Sequence, residues 1–152
     1  MRITIVAIGK LKPGPHRELA AHYIRRLRWS LAIREVEERR KLPPAELKAR
    51  ESALLLAAIP KGAVVVALDE RGTALSSAEF AKRLAHWRNS GVADLAFVIG
   101  GAGGLDDAVR RQAAFLLSLG PATWPHLLAR GMLLEQLYRA ETLLAGHPYH
   151  RE

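Results

Sequence analysis

Short apolar and β-branched runs alternate along this chain with longer stretches of helical spacing. Residues 2–8 read as a strand, and Gly9 opens a turn that ends in Lys12-Pro13-Gly14-Pro15. Leu19, Tyr23, Ile24 and Leu27 share one face of a helix predicted from residue 15 to about 28. Residues 31–38 give a second strand, and Pro43-Pro44 starts a helix running to about residue 59. After Pro60-Lys61-Gly62, residues 63–68 form an unbroken apolar strand of the kind buried on both faces. Ser76-Ser77-Ala78-Glu79 has the form of a capping box and opens a helix to about residue 89. Residues 93–99 are the next buried strand. A helix from about 106, a short strand near 115–119 and a last helix over about 127–144 complete the pattern, and Gly146-His147-Pro148 breaks that helix. Strands separated by helices predict an α/β fold, a mainly parallel sheet flanked by helices.

At 152 residues, with no repeat or linker to divide it, the chain is expected to form one domain over 1–152. It has no cysteine, which excludes disulfides, thiolate metal sites and a cysteine nucleophile, and fits a reducing cytoplasmic setting. The amino terminus lacks a signal-peptide layout, and the apolar runs are too short to cross a bilayer, so no membrane role is expected. The net charge of +8 is unevenly spread: residues 1–50 hold thirteen basic and five acidic side chains, and the rest of the chain balances. A phosphate backbone is the commonest partner of such a patch, although anionic surfaces and plain solubility produce it too. Arg25 and Arg26 are the part of it expected to touch RNA.

Four segments carry candidate chemistry. Gly100-Gly101-Ala102-Gly103-Gly104 follows a buried strand, where glycines let backbone amides reach a ligand. It matches neither G-x-G-x-x-G nor a P-loop, and a tight turn with no ligand fits it equally well. Gly120-Pro121-Ala122-Thr123-Trp124-Pro125 is a rigid irregular path offering a hydroxyl and a flat ring, with helix entry as the plainer reading. The last helix is apolar nearly all round, which calls for burial on more than one side and suggests a subunit interface. On it Glu135 and Arg139 have the spacing and order of a helix ion pair, while Arg130 has no acid at that spacing. The ending His147-Pro148-Tyr149-His150-Arg151 gathers groups that bind phosphate, stack on a base or move a proton, against the plainer reading of a solvated tail.

Leu68-Asp69, Ile99-Gly100-Gly101, Pro125-His126-x-Leu128-x-Arg130 leading into Leu134-Glu135-Gln136-Leu137-Tyr138-Arg139-Ala140, and the closing His147–Arg151 motif together resemble one family. It is the ribosomal large-subunit pseudouridine N3-methyltransferases of the SPOUT class, and the resemblance spans essentially the whole chain. The resemblance implies a trefoil-knotted carboxyl-terminal half (about residues 95–152), a homodimer, ribosomal RNA as partner, and S-adenosylmethionine as cofactor. It implies that Leu68, Gly100, Gly101 and the stretch from Gly120, Pro121, Ala122, Thr123 and Trp124 to Pro125 surround the cofactor. Each tail would complete a site holding its partner's cofactor. His150 is the first choice for assisting loss of the N3 proton or orienting the base. Tyr149 would stack on or hydrogen-bond the base, Arg151 would hold a phosphate, and Glu135 is the alternative proton acceptor. Arg130 and Arg139 would bind RNA or secure the tail. Two departures stand out. Ala102-Gly103 replaces the family's usual Pro-Glu, which removes an acid beside the loop, and Gly120-Pro121 replaces a serine-containing pair.

A SPOUT enzyme acting on another RNA, such as transfer RNA, is the nearest alternative. A ribosome-binding protein without catalysis belongs to a different class. A metal enzyme using His126, His147 and His150 is not supported, since no two histidines share the face that H-E-x-x-H would give, so no metal is expected.

Overall fold

The computed structural model describes residues 1–149. Ten elements follow one another: β1 (Arg2–Ile8), α1 (Pro15–Ile24), β2 (Leu31–Val36), α2 (Pro44–Ala58), β3 (Val64–Ala74), α3 (Ser77–Asn89), β4 (Asp94–Ile99), α4 (Asp107–Gln112), β5 (Phe115–Ser118) and α5 (His126–Ala145). The strands form a single sheet in the order β2-β1-β4-β3-β5, and all four pairings are parallel.

Alternation along the strands decides which layer covers which face. Ile3, Ile5 and Ala7 of β1 point into a core with Leu95 and Phe97 of β4, closed by α1, α3 and α5 through Ala20, Phe80, Leu84, Leu133, Leu134 and Leu137. Val6 and Ile8 point the other way, with Val65, Ala67 and Val98, and are closed by α2 and the start of α4 through Leu55, Leu105 and Val109. Each of the larger side chains among them contributes about 1.5–3 kcal/mol when removed from water, which makes the register of β1 and β4 costly to shift.

The apolar circumference of α5 is largely used inside the chain, because the helix packs on α1, α3 and the sheet together. Leu144 remains exposed.

Two local departures from the sequence reading have physical causes. Helix α1 stops at Ile24, short of residue 28, because Glu141 of α5 accepts hydrogen bonds from the backbone N–H groups of Arg28 and Trp29 and holds them in a turn. Strand β3 does not stop at Leu68 but runs to Ala74: its pairing with β5 skips from Leu68 to Thr73, both opposite Leu117. Gly72 makes that re-entry possible, since a Cβ there would lie 2.5 Å from the carbonyl carbon and oxygen of Leu116. Helix α3 has the expected capping box, with Ser76 Oγ accepting from Glu79 N at 3.1 Å and the Glu79 carboxylate accepting from Ser76 N at 2.7 Å.

Candidate active site

In a parallel sheet, ligands sit beyond the carboxyl ends of the strands, and here the break within β3 lies beside the ends of β4 and β5. A cavity of about 360 Å³ opens there, within the range of small-molecule sites. It is lined by Leu68–Arg71 at the break within β3, by Ile99–Leu105 at and after the end of β4, and by Leu117, Leu119, Gly120, Ala122, Thr123 and Trp124 at and after the end of β5. Five glycines, Gly100, Gly101, Gly103, Gly104 and Gly120, stand in its wall. The glycine turn closes on itself through Gly104 N donating to Gly101 O at 3.0 Å, and Gly104 has φ +78, a conformation that side chains rarely adopt. At Gly100 a Cβ would come within 2.9 Å of the Gly104 carbonyl, so only glycine allows the turn to fold back this tightly.

Of the residues expected around a cofactor, Leu68, Gly100, Gly101, Gly120, Ala122, Thr123 and Trp124 line this cavity. Pro121 and Pro125 shape the path: Pro121 is exposed, and Pro125 sits at the amino end of α5. Trp124 is 42% exposed and its indole N–H donates to Leu119 O, folding the ring back over its own loop.

Side chains outside the set expected around the cofactor also shape this site. His126 lines the cavity, and burial together with the nearby Arg130 guanidinium and His16 pushes its pKa down, so the imidazole stays neutral near pH 7. Lys48 on α2 lines the mouth. Glu51, one turn further along α2, places both carboxylate oxygens about 3.0 Å from where a Cβ of Gly101 would stand. Burial raises its pKa. Glu51 thus places a carboxylate beside the turn from another element, although it is not among the residues that line the cavity. A helical residue about fifty positions from the loop gives no local signal of this.

The second group gathers on α5. Glu135 and Arg139 form the expected i, i+4 ion pair. Tyr149 donates to Glu135 Oε1 at 3.1 Å, its ring lies 4.6 Å from that of Tyr138, and the Arg139 guanidinium sits 5.1 Å from its centroid. Burial, with Tyr23 and the Glu135 charge nearby, holds the phenol well above its ordinary pKa, so it stays protonated. Glu135 also lines a more apolar cavity of about 510 Å³ with Leu19, Tyr23, Phe80, Met132 and Gln136. Leu117, Leu119 and Gly120 form a wall common to both cavities. Neither Glu135 nor Tyr149 reaches the backbone-lined one. His150 and Arg151 lie outside the described residues.

Arg130, expected on an RNA-facing surface, is placed inside the protein. It is 1% exposed, pairs with Glu35 of β2 and donates to Gly9 O at 2.9 Å. Its partner is 95 residues away, which helix spacing cannot reveal. Burial alone would raise the Glu35 pKa, but hydrogen bonds from Leu11 N and Arg130 outweigh it and the net direction is down. Arg25 and Arg26 are exposed just after α1 and line neither cavity.

The family described as "Predicted SPOUT methyltransferase" matches residues 1–150. The chain belongs to the SPOUT methyltransferase family. It is 57% identical over 151 residues to a protein of Rhodospirillum centenum named ribosomal RNA large subunit methyltransferase H, with 99% of each chain covered. A protein of the same name from Paramagnetospirillum magneticum is 56% identical over 151 residues, again with 99% of each covered. Among solved structures, a probable methylase family protein from Haemophilus influenzae superposes with a TM-score of 0.59 at 14% identity, over 99% of this chain and 70% of that one. A SpoU methyltransferase from Streptomyces viridochromogenes, solved with the cofactor AdoMet, gives a TM-score of 0.50 at 16% identity, over 92% of this chain and 58% of that one. These likenesses carry the fold.

Proposed function

We propose that this methyltransferase moves a methyl group from S-adenosylmethionine to N3 of a pseudouridine in large-subunit ribosomal RNA. It would work in the cytoplasm on the assembled ribosome, as a homodimer with a knotted carboxyl-terminal half. The observation that carries the reading is end-to-end identity of 57% to a protein named for methylation of that RNA. The cavity fits the cofactor on its own terms: its volume and its glycine wall suit a ligand held by backbone groups. When bound, S-adenosylmethionine supplies a methyl on a positively charged sulfur, open to in-line displacement without a covalent protein intermediate.

The chain's own residues then have three tasks. The backbone of the glycine turn and of residues 120–125 holds the cofactor. A group near the tail accepts the N3 proton as the N–C bond forms. His150 is the first choice, because imidazole titrates near working pH, and Glu135 is the alternative. Tyr149, kept protonated, serves as a hydrogen-bond donor or stacking surface for the base, with Arg151 on a phosphate and Arg139 securing the tail. Arg25 and Arg26 contribute to phosphate contact. Arg130 anchors the loop after β1 instead of touching RNA. Separation of the two cavities within one chain favours the partner's tail as the group that completes each site.

The test is methyl transfer from isotopically labelled S-adenosylmethionine to assembled ribosomes of a strain lacking this gene, to free ribosomal RNA and to transfer RNA. Mass spectrometry then locates the label. One methyl on a large-subunit pseudouridine is expected. Label on transfer RNA alone, or none anywhere, overturns the proposal.

A further inference from the structure

We propose that Arg110 is a positioning residue that sets the shape of the S-adenosylmethionine pocket by tying its two rims together. The inference rests on the cofactor assignment above and assigns a role to a side chain outside the motifs that carried it.

The two rims come from different strands. One is the break within β3, where Asp69 follows Leu68. The other is the glycine turn after β4, ending at Leu105. Four glycines in residues 100–104 leave that turn without side chains to anchor it, and glycine loses more conformational freedom on ordering than any other residue. Something outside the turn must therefore hold it in one arrangement. Arg110 does so with three bonds. Nη1 donates to Asp69 Oδ2 at 3.0 Å and to Leu105 O at 2.7 Å, and Nη2 donates to Asp107 Oδ1 at 2.7 Å. The other Asp69 oxygen accepts from Arg71 N at 2.8 Å, which fixes the carboxylate itself.

The clamp is partly sheltered: the Arg110 side chain is 16% exposed and that of Asp69 7%. A planar guanidinium satisfying three acceptors in fixed directions is pre-organised in a way that a lysine ammonium is not. The far side of the turn is pinned separately, where Ser52 Oγ of α2 accepts from Asp106 N at 3.2 Å. With the turn pinned to α2 on one side and to β3 on the other, the backbone groups facing the cavity are fixed before a ligand arrives. Pre-organisation of this kind appears in affinity and leaves the chemical step alone.

The experiment compares the wild-type chain with Arg110→Met, Arg110→Lys and the double variant Asp69→Asn/Arg110→Met. The double variant leaves no sheltered carboxylate unpaired, since Asp107, which also loses its partner, is 75% exposed, and this protects against simple misfolding. Calorimetric titration with S-adenosylmethionine and with S-adenosylhomocysteine gives the dissociation constants. Hydrogen exchange of the unliganded proteins reports on the turn, and kcat is measured at saturating cofactor. Wild type should bind one cofactor per chain. Both methionine variants should bind about tenfold more weakly, the size expected for losing hydrogen bonds to a charged group, and lysine should restore part of the loss. Exchange should quicken in residues 100–106 and not in β1 or β4, and kcat should hold. Wild-type affinity in the variants overturns the inference. So does exchange that quickens throughout the sheet, or a fall in kcat at saturation, since those mark a general structural or chemical role. Failure of the wild type to bind either ligand is a different result, and removes the cofactor assignment together with the inference.

Discussion

Tyr149 donates its phenolic proton to Glu135 Oε1 at 3.1 Å, so the last described residue of the chain is fastened to the middle of its last helix. Two residues of the expected catalytic set thus form one cluster with Arg139, which was expected to bind RNA or secure the tail. Replacing Tyr149 with Phe removes the donor and keeps the ring. The expected outcome is a loss of methyl transfer of about a hundredfold with cofactor affinity unchanged, read from kcat and from calorimetry side by side. Wild-type turnover would remove Tyr149 from the mechanism.

Gly72 lets β3 return to β5 past the backbone of Leu116. A methyl at this position meets backbone at 2.5 Å, which no rotamer change relieves. Gly72→Ala should cost about 3 kcal/mol of stability, measured by urea denaturation, and should weaken cofactor binding because Leu117 and Leu119 line the cavity downstream.

Glu35 balances a guanidinium that is almost wholly inside the protein. The isosteric Glu35→Gln leaves that charge uncompensated. The cost should be about 2 kcal/mol, below the range for a fully buried pair because Glu35 itself is reached by solvent. The Glu35 pKa lies below its ordinary 4.5, so the stabilisation it gives is complete above that value and fades as pH falls through the lowered pKa. Denaturation of wild type and variant should therefore converge in acid.

His126 has the opposite charge type and a lowered pKa, below its ordinary 6.5. The unfolded chain takes up the proton first, so stability should decline as pH drops from about 7 toward 5.5, a slope that His126→Gln removes. Thermal midpoints across that range give the answer. An unchanged slope in the variant would mean that His126 is not the group responsible.

Arg25 and Arg26 should act through phosphate contact alone. Changing both to Ala should reduce the slope of log affinity for ribosomal RNA against log salt by about two, with no change in the nucleotide methylated. Filter binding over a salt series measures it.

The periodic parts of the fold were legible in the sequence. Strands β1 and β4, the capping box at Ser76 and the long α5 all announce themselves through local spacing. So did the glycine turn, because Gly100–Gly104 follows an apolar strand. What was hidden depends on partners far apart in the chain. Asp69-Glu70-Arg71-Gly72 reads as a polar loop, yet the strand resumes at Thr73 because β5 offers it an edge. Arg130 looks like a free cation until β2 brings Glu35 to it. Arg110 resembles one more surface arginine in Arg110-Arg111, and only the approach of Asp69 makes it a clamp. Glu51 sits beside Gly101 for the same reason. Local pattern specifies elements, whereas charge partners follow from the order of strands in the sheet.

A site shared between two chains is most directly tested by mixing two defective variants. Ala122→Trp fills the cofactor cavity from an exposed position, and Tyr149→Phe with His150→Ala disables the tail. Each variant alone should be inactive as a homodimer. Co-expressed, half the dimers are mixed, and each mixed dimer pairs one intact pocket with one intact tail, so about a quarter of wild-type methyl transfer should return. Activity no higher than that of either parent would mean that each chain uses its own tail, and would contradict the shared site.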